Sequence, residues 1–159
     1  MPKAARTSRG EGGTGDSDGG GMTGLVVCLA VLALAGAFGA LWKRRDGRMT
    51  VRGRDEDRRL TAEAIGAEEL GERATLVQFS SAFCQPCRAT RRILAEVSGM
   101  VEGVAHVEID AEARLDLVRE LGVMRTPTVL VLDARGRIVR RASGQPRKVD
   151  VIAALGEAV

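Results

Sequence analysis

Two cysteines three positions apart, Cys84 and Cys87, enclose Gln85 and Pro86. If these residues begin a helix, one turn brings the second side chain round to a Cα separation that a disulfide can close. An exposed thiolate at Cys84 would attack a disulfide in another molecule and form a mixed disulfide. Cys87, held behind it, would resolve that bond and release the reduced partner. Unsatisfied N–H groups and the positive end of a helix favour a thiolate at such a position. Pro86 fits a first turn, where no donor is lost. The same spacing occurs in zinc sites, but zinc needs two further ligands, and the free candidates are His106 and carboxylates. Redox chemistry is therefore expected, with neither a metal nor a cofactor. The third cysteine, Cys28, lies in an apolar run, so no spaced framework of structural disulfides is present.

The surrounding pattern supplies a strand before the pair and a helix after it. Residues 74–80 are almost continuously apolar, as in a strand covered on both faces. From Arg88 to Met100, Ile93, Leu94 and Val97 recur at helical spacing. A second strand is expected at 104–110. A second helix follows from Glu112 to Leu121, with Leu115, Val118 and Leu121 on one side and Gly122 closing it. Thr128–Leu132 reads as a third strand, and Asp133-Ala-Arg-Gly136 as a turn into an antiparallel fourth at 137–142. Lys148–Ala158 reads as a terminal helix. The order βαβαββα implies an α/β fold, a mixed sheet with helices on both faces, and 60–159 as its domain. Leu60–Leu70 reads as a short helix or turn docking onto it.

Phe79-Ser-Ser-Ala-Phe-Cys-Gln-Pro-Cys-Arg88 and Arg125-Thr126-Pro127-Thr128 together resemble the active-site helix and the cis-proline loop of the thioredoxin superfamily. The resemblance spans roughly residues 60–159 and implies a thioredoxin fold. It implies a cis Pro127 lying against the cysteines, although spacing alone would permit a trans turn. Gly144 matches the glycine flanking the family's client groove. Phe83, Gln85, Pro86, Thr126, Pro127 and Gly144 would then contact the client. Phe83 stands where the family usually keeps tryptophan, and Gln85 where glycine is common. Gln78 occupies the place of a buried acid that helps deprotonate the resolving cysteine, and an amide cannot accept that proton. His106 and Glu108 on the next strand are candidate substitutes, or ordinary strand residues. Arg88 either favours the Cys84 thiolate or is a solvated first-turn cation.

Residues 22–42 carry no charge, and as a helix would extend about 31 Å, the thickness of a bilayer core. Trp42, the only tryptophan, ends the run, where an indole favours the headgroup region. A cleaved signal peptide is the alternative, opposed by Lys43-Arg44-Arg45 immediately after the run. Residues 1–21 read as a disordered tail, with Met22 as a possible start, and 43–59 as a basic charged linker. Lys and Arg crowd the C-terminal flank, so a single-pass protein would keep its domain in the cytoplasm. The basic cluster lacks interleaved aromatics, which argues against nucleic acid. The net charge is only +3.

The expected activity is a membrane-tethered thiol–disulfide oxidoreductase that reduces protein disulfide clients and draws on an unidentified electron donor. A tethered extracytoplasmic protein for cytochrome c maturation or envelope thiol repair is the alternative. A redox-sensing adaptor without catalysis is another.

Overall fold

The computed structural model describes residues 18–50, 55 and 58–159. The chain divides into two compact units, Met1–Ala40 and Leu41–Val159. Helix α1 (Asp18–Arg45) contains a 20-residue stretch, Thr23–Trp42, with a mean hydropathy of 2.5. By length and composition it can cross a membrane, and a signal sequence would meet the same description. The helix starts at Asp18, upstream of the expected Met22, so residues 18–21 of the expected tail are helical. The rest of that tail lies outside the described residues.

The second unit is built on a sheet of order β2-β1-β3-β4. Strand β1 (Ala74–Ser80) lies inside it, every residue buried. It runs parallel to β2 (Val104–Asp110) and antiparallel to β3 (Thr128–Asp133), which pairs antiparallel with β4 (Ile138–Ser143). The remaining elements are α2 (Ala62–Ile65), α3 (Gln85–Met100), α4 (Leu115–Glu120) and α5 (Lys148–Ala158). This is the thioredoxin fold, with the βαβαββα order read from the sequence.

Alternation along β1 explains its nearly continuous apolar character: successive side chains enter opposite cores. Val77 and Phe79 join Leu117, Leu121, Leu130 and Leu132 in one cluster. Ala74 and Leu76 join Leu94 and Val97 of α3 and Val151 and Leu155 of α5 in the other. Gln78 shares the face of Ala74 and Leu76 and places a polar side chain under the start of α3.

Two expectations need correction. Helix α4 begins at Leu115, later than Glu112, because the Asp110 carboxylate accepts the Glu112 N–H at 2.9 Å and holds the segment in turns. Leu115 is therefore half exposed, and Leu117 with Leu121 faces the core. The span 43–59, read as a linker, is in part a strap along β4. Lys43–Arg45 finish α1, Gly47 N–H donates to Ser143 O at 2.9 Å, and Thr50 and Arg141 exchange backbone bonds of 2.7 and 2.8 Å. Further on, Ile138 N–H donates to Arg58 O at 3.2 Å. Asp55 is buried, with Oδ2 2.9 Å from Nε of the buried Arg141. Edge strands leave backbone groups unpaired, and the strap takes up those of β4.

Candidate active site

Strand β1 ends at Ser80 and a short turn carries the chain to Cys84, which caps α3. Its extended backbone, φ −86° and ψ 98°, points Sγ back over the first turn, where it accepts the Cys87 N–H at 3.2 Å. Gln85 and Pro86 follow as the first residues of the helix, both exposed. The two sulfurs are joined in a disulfide with Cα atoms 5.2 Å apart. The sites are unequal: Cys84 is partly exposed, whereas Cys87 is 1% exposed. A nucleophile facing outward and a partner behind it is the arrangement that a two-step exchange requires.

Across from the pair, the Thr126–Pro127 peptide bond is cis, as the resemblance implies. Ser81 in the turn before the cysteines and Thr126 bring their hydroxyl oxygens to 3.1 Å, joining the two loops. Thr128 Oγ1 donates to Arg125 O at 2.7 Å. Gly144 N–H donates to Pro127 O at 2.7 Å, so the expected groove glycine does lie beside the proline. Gly144 has a φ of 97°, and a Cβ there would come within 2.5 Å of the Asp46 carboxylate, a double reason for glycine. Asp46 forms an ion pair with Arg125, whose Nη2 also donates to Ser143 O at 2.7 Å. The strap thus touches the proline loop, a contact between residues 79 apart that no local pattern announces.

Phe83 is 99% exposed, and Met124, which sequence reasoning missed, is 88% exposed. Both are apolar side chains in the loops that carry Cys84 and Pro127. Met124 was legible only as the neighbour of the Arg125-Thr126-Pro127 motif.

Behind the sulfurs, Gln78 is fully buried and its Nε2 donates to Cys87 O at 3.0 Å, tying β1 to the first turn of α3. On the flank, a cleft of about 460 Å³ is lined by Cys84, Cys87, Arg88, Arg91 and Glu108 among others. Glu108 is opposite Gln78 in the parallel ladder. Ser80 Oγ donates to its Oε1 at 2.5 Å, and Arg91 donates to the same oxygen at 2.6 Å. Burial pushes the Glu108 carboxyl up, but the Arg91 and Ser80 hydrogen bonds outweigh it and hold it below the ordinary value. His106, two positions earlier, is pushed down by burial, with Glu108 opposing and Arg91 adding to the shift. Its ring is therefore neutral at physiological pH.

The family model for thioredoxin matches residues 62–157. Human thioredoxin domain-containing protein 2 is 39% identical over 61 residues, which take in 38% of this chain and 11% of that protein. The chain thus spans a small part of that relative's length. A mutant thioredoxin of Halobacterium salinarum superposes with a TM-score of 0.50 at 18% identity, over 55% of this chain and 75% of its own. Thioredoxin-2 of a malaria parasite gives a TM-score of 0.50 at 17% identity, over 54% and 82%. At such identities the superpositions speak to the fold alone. The family model, which covers well over half of the sequence and takes in both the cysteine pair and the cis-proline loop, places this chain in the thioredoxin family.

Proposed function

We propose that the chain is a membrane-anchored thiol–disulfide oxidoreductase that reduces disulfides of protein clients. What carries the reading is the placement of Cys84 Sγ at the N-cap of α3, accepting the Cys87 N–H, with Cys87 behind it at disulfide distance. In the reduced protein the Cys84 thiolate attacks one client sulfur, breaking the client S–S bond and leaving one client thiolate. Cys87 then attacks Cys84 Sγ, which displaces the second client thiolate and leaves the Cys84–Cys87 disulfide. The client gains two electrons and the dithiol loses two, which a donor must return for the next cycle. Phe83, Gln85, Pro86, Thr126, Pro127 and Gly144 form the client surface. The apolar stretch Thr23–Trp42 serves as the span, and the Lys/Arg excess after it favours a cytoplasmic domain.

Cys87→Ser in the full chain tests this. It should accumulate mixed disulfides with cytoplasmic proteins, visible on non-reducing gels and absent from the Cys84→Ser, Cys87→Ser double variant. No Cys84-dependent adduct would defeat the exchange mechanism. Adducts drawn only from extracytoplasmic proteins would instead support an envelope-facing reductase.

A further inference from the structure

Cys87 has to shed a proton before its sulfur can attack, yet it is 1% exposed. Its buried neighbour Gln78 cannot take that proton. The amide already donates Nε2 to Cys87 O, and Oε1 has no hydrogen-bond partner among the described residues. The acceptor must therefore reach the sulfur from the cleft side, where Cys87 contributes to the lining.

Two carboxylates line that cleft, Glu108 and Asp110. Asp110 uses Oδ1 to accept the Glu112 N–H at 2.9 Å, a bond that shapes the turn after β2. Glu108 lies two residues back from the strand's end, opposite Gln78 in the ladder and on the side that Arg91 of α3 reaches. Ser80 from β1 and Arg91 from α3 fix its head, and its side chain is 26% exposed. A cleft of this size has room for relay water, since one water takes up about 30 Å³.

We propose that Glu108 acts across the cleft, through solvent, as the proton acceptor for Cys87 when the mixed disulfide is resolved. This rests on the exchange function above. The Cys87 S–H bond breaks, its proton passes to the Glu108 carboxylate, and the new thiolate attacks Cys84 Sγ. The Cys84–client S–S bond breaks, the departing client thiolate takes a proton from solvent, and Glu108 returns its own to solvent. No further oxidant or reductant enters the step.

The charged groups that face Glu108 set the pH at which it can serve. Arg91 and Arg88 project from α3, His106 and Asp110 flank it on β2, and both cysteines share the cleft. With Arg91 beside it the carboxyl is ionised at neutral pH and so able to accept. Removing Arg91 should raise the pH below which it is protonated.

The step can be read with neutral dithiodipyridine and the reduced full chain carrying Cys28→Ala, which removes the one thiol outside the pair. One thiopyridone leaves when Cys84 attacks, and a second when Cys87 resolves the adduct. Glu108→Gln should slow the second release by about tenfold or more, remove its fall toward acid pH, and spare the first release. Arg91→Gln should keep a second release that falls off at higher pH than in the wild type. If Glu108→Gln keeps the wild-type rate and pH profile, or if Asp110→Asn slows the step in its place, the assignment is wrong. If both substitutions slow the two releases alike, Glu108 only tethers α3 and the assignment also fails. The absence of any first release from Cys84 in the wild type would sink the exchange function itself and the Glu108 role with it.

Discussion

Cys84 and Cys87 have the same chemistry and opposite surroundings. Cys84 Sγ takes a backbone N–H from the opening of α3 and is partly open to solvent. Both features favour a reactive thiolate. Cys87 is 1% exposed, with room at its sulfur for water from the cleft but not for a larger reagent, and its carbonyl is bound by Gln78. The reduced protein should therefore take up iodoacetamide at neutral pH at Cys84, faster than an unstructured cysteine peptide does, while Cys87 reacts only on unfolding. Mass spectrometry of each site against time checks this. Equal rates at the two sites, or a Cys84 no faster than the peptide, would remove the physical basis of the mechanism. The placement of this pair was legible from spacing, since a strand followed by C-x-x-C with a proline in the first turn leaves few alternatives. The Ser80–Glu108–Arg91 cluster was not, because it depends on the β1–β2 register and on α3 facing the same side. Glu108 could be named from sequence only as one of two candidates on the next strand.

The two parallel strands were found to the residue: β1 and β2 have their expected bounds. Where a side chain competes for backbone donors, the periodicity misleads, and α4 shows it. Asp110 binds the Glu112 N–H and delays the helix until Leu115, which turns Leu117 inward. A similar competition helps the β3–β4 hairpin. Asp133 Oδ1 accepts the N–H groups of Arg135 and Arg137, each at 2.9 Å, and Oδ2 accepts from Arg137 Nε at 2.7 Å. Burial pushes the Asp133 carboxyl up, but these hydrogen bonds and the Arg137 charge outweigh it, so its value in the folded protein is depressed. A depressed carboxyl stabilises the fold fully above its unfolded value, about 3.9, and loses that contribution as the pH falls through the folded value. Asp133→Ala should cost about 1–3 kcal/mol at neutral pH and distinctly less in strong acid, where the wild type is itself protonated. Urea unfolding at the two pH values measures the difference. A cost that does not change with pH would show that the carboxylate charge contributes nothing.

On the scale of the whole molecule, the sequence suggests a domain that starts at Leu60, and the structure extends its hydrogen bonding upstream. Residues 46–50 and 58–60 carry few apolar groups, and their bonds to the sheet are mostly between backbone atoms, which leave no trace in composition. Asp55 could not be singled out from the sequence, because it is the first of three consecutive acids, Asp55-Glu56-Asp57, and its partner Arg141 lies 86 positions away. That pair is buried on both sides, at 2% and 5% side-chain exposure, and Arg141 Nη2 also donates to Leu121 O at 2.8 Å. Taking away the carboxylate removes a buried partner of the Arg141 guanidinium, a loss of about 3–5 kcal/mol for a buried pair. In a chain cut before residue 60, the strap's backbone bonds to Ser143, Arg141 and Ile138 would go as well. A fragment beginning at residue 60 should thus unfold at markedly lower urea than one beginning at Leu41, where the compact unit starts. Asp55→Ala in the longer fragment should reproduce most of the deficit. If the two fragments unfold within about 1 kcal/mol of each other, the strap is a bystander and the sequence boundary is the physical one. If they differ as expected, the segment after the apolar helix is part of the second compact unit's folding core. Its Asp46 end, paired with Arg125, then couples the same strap to the loop that carries Pro127.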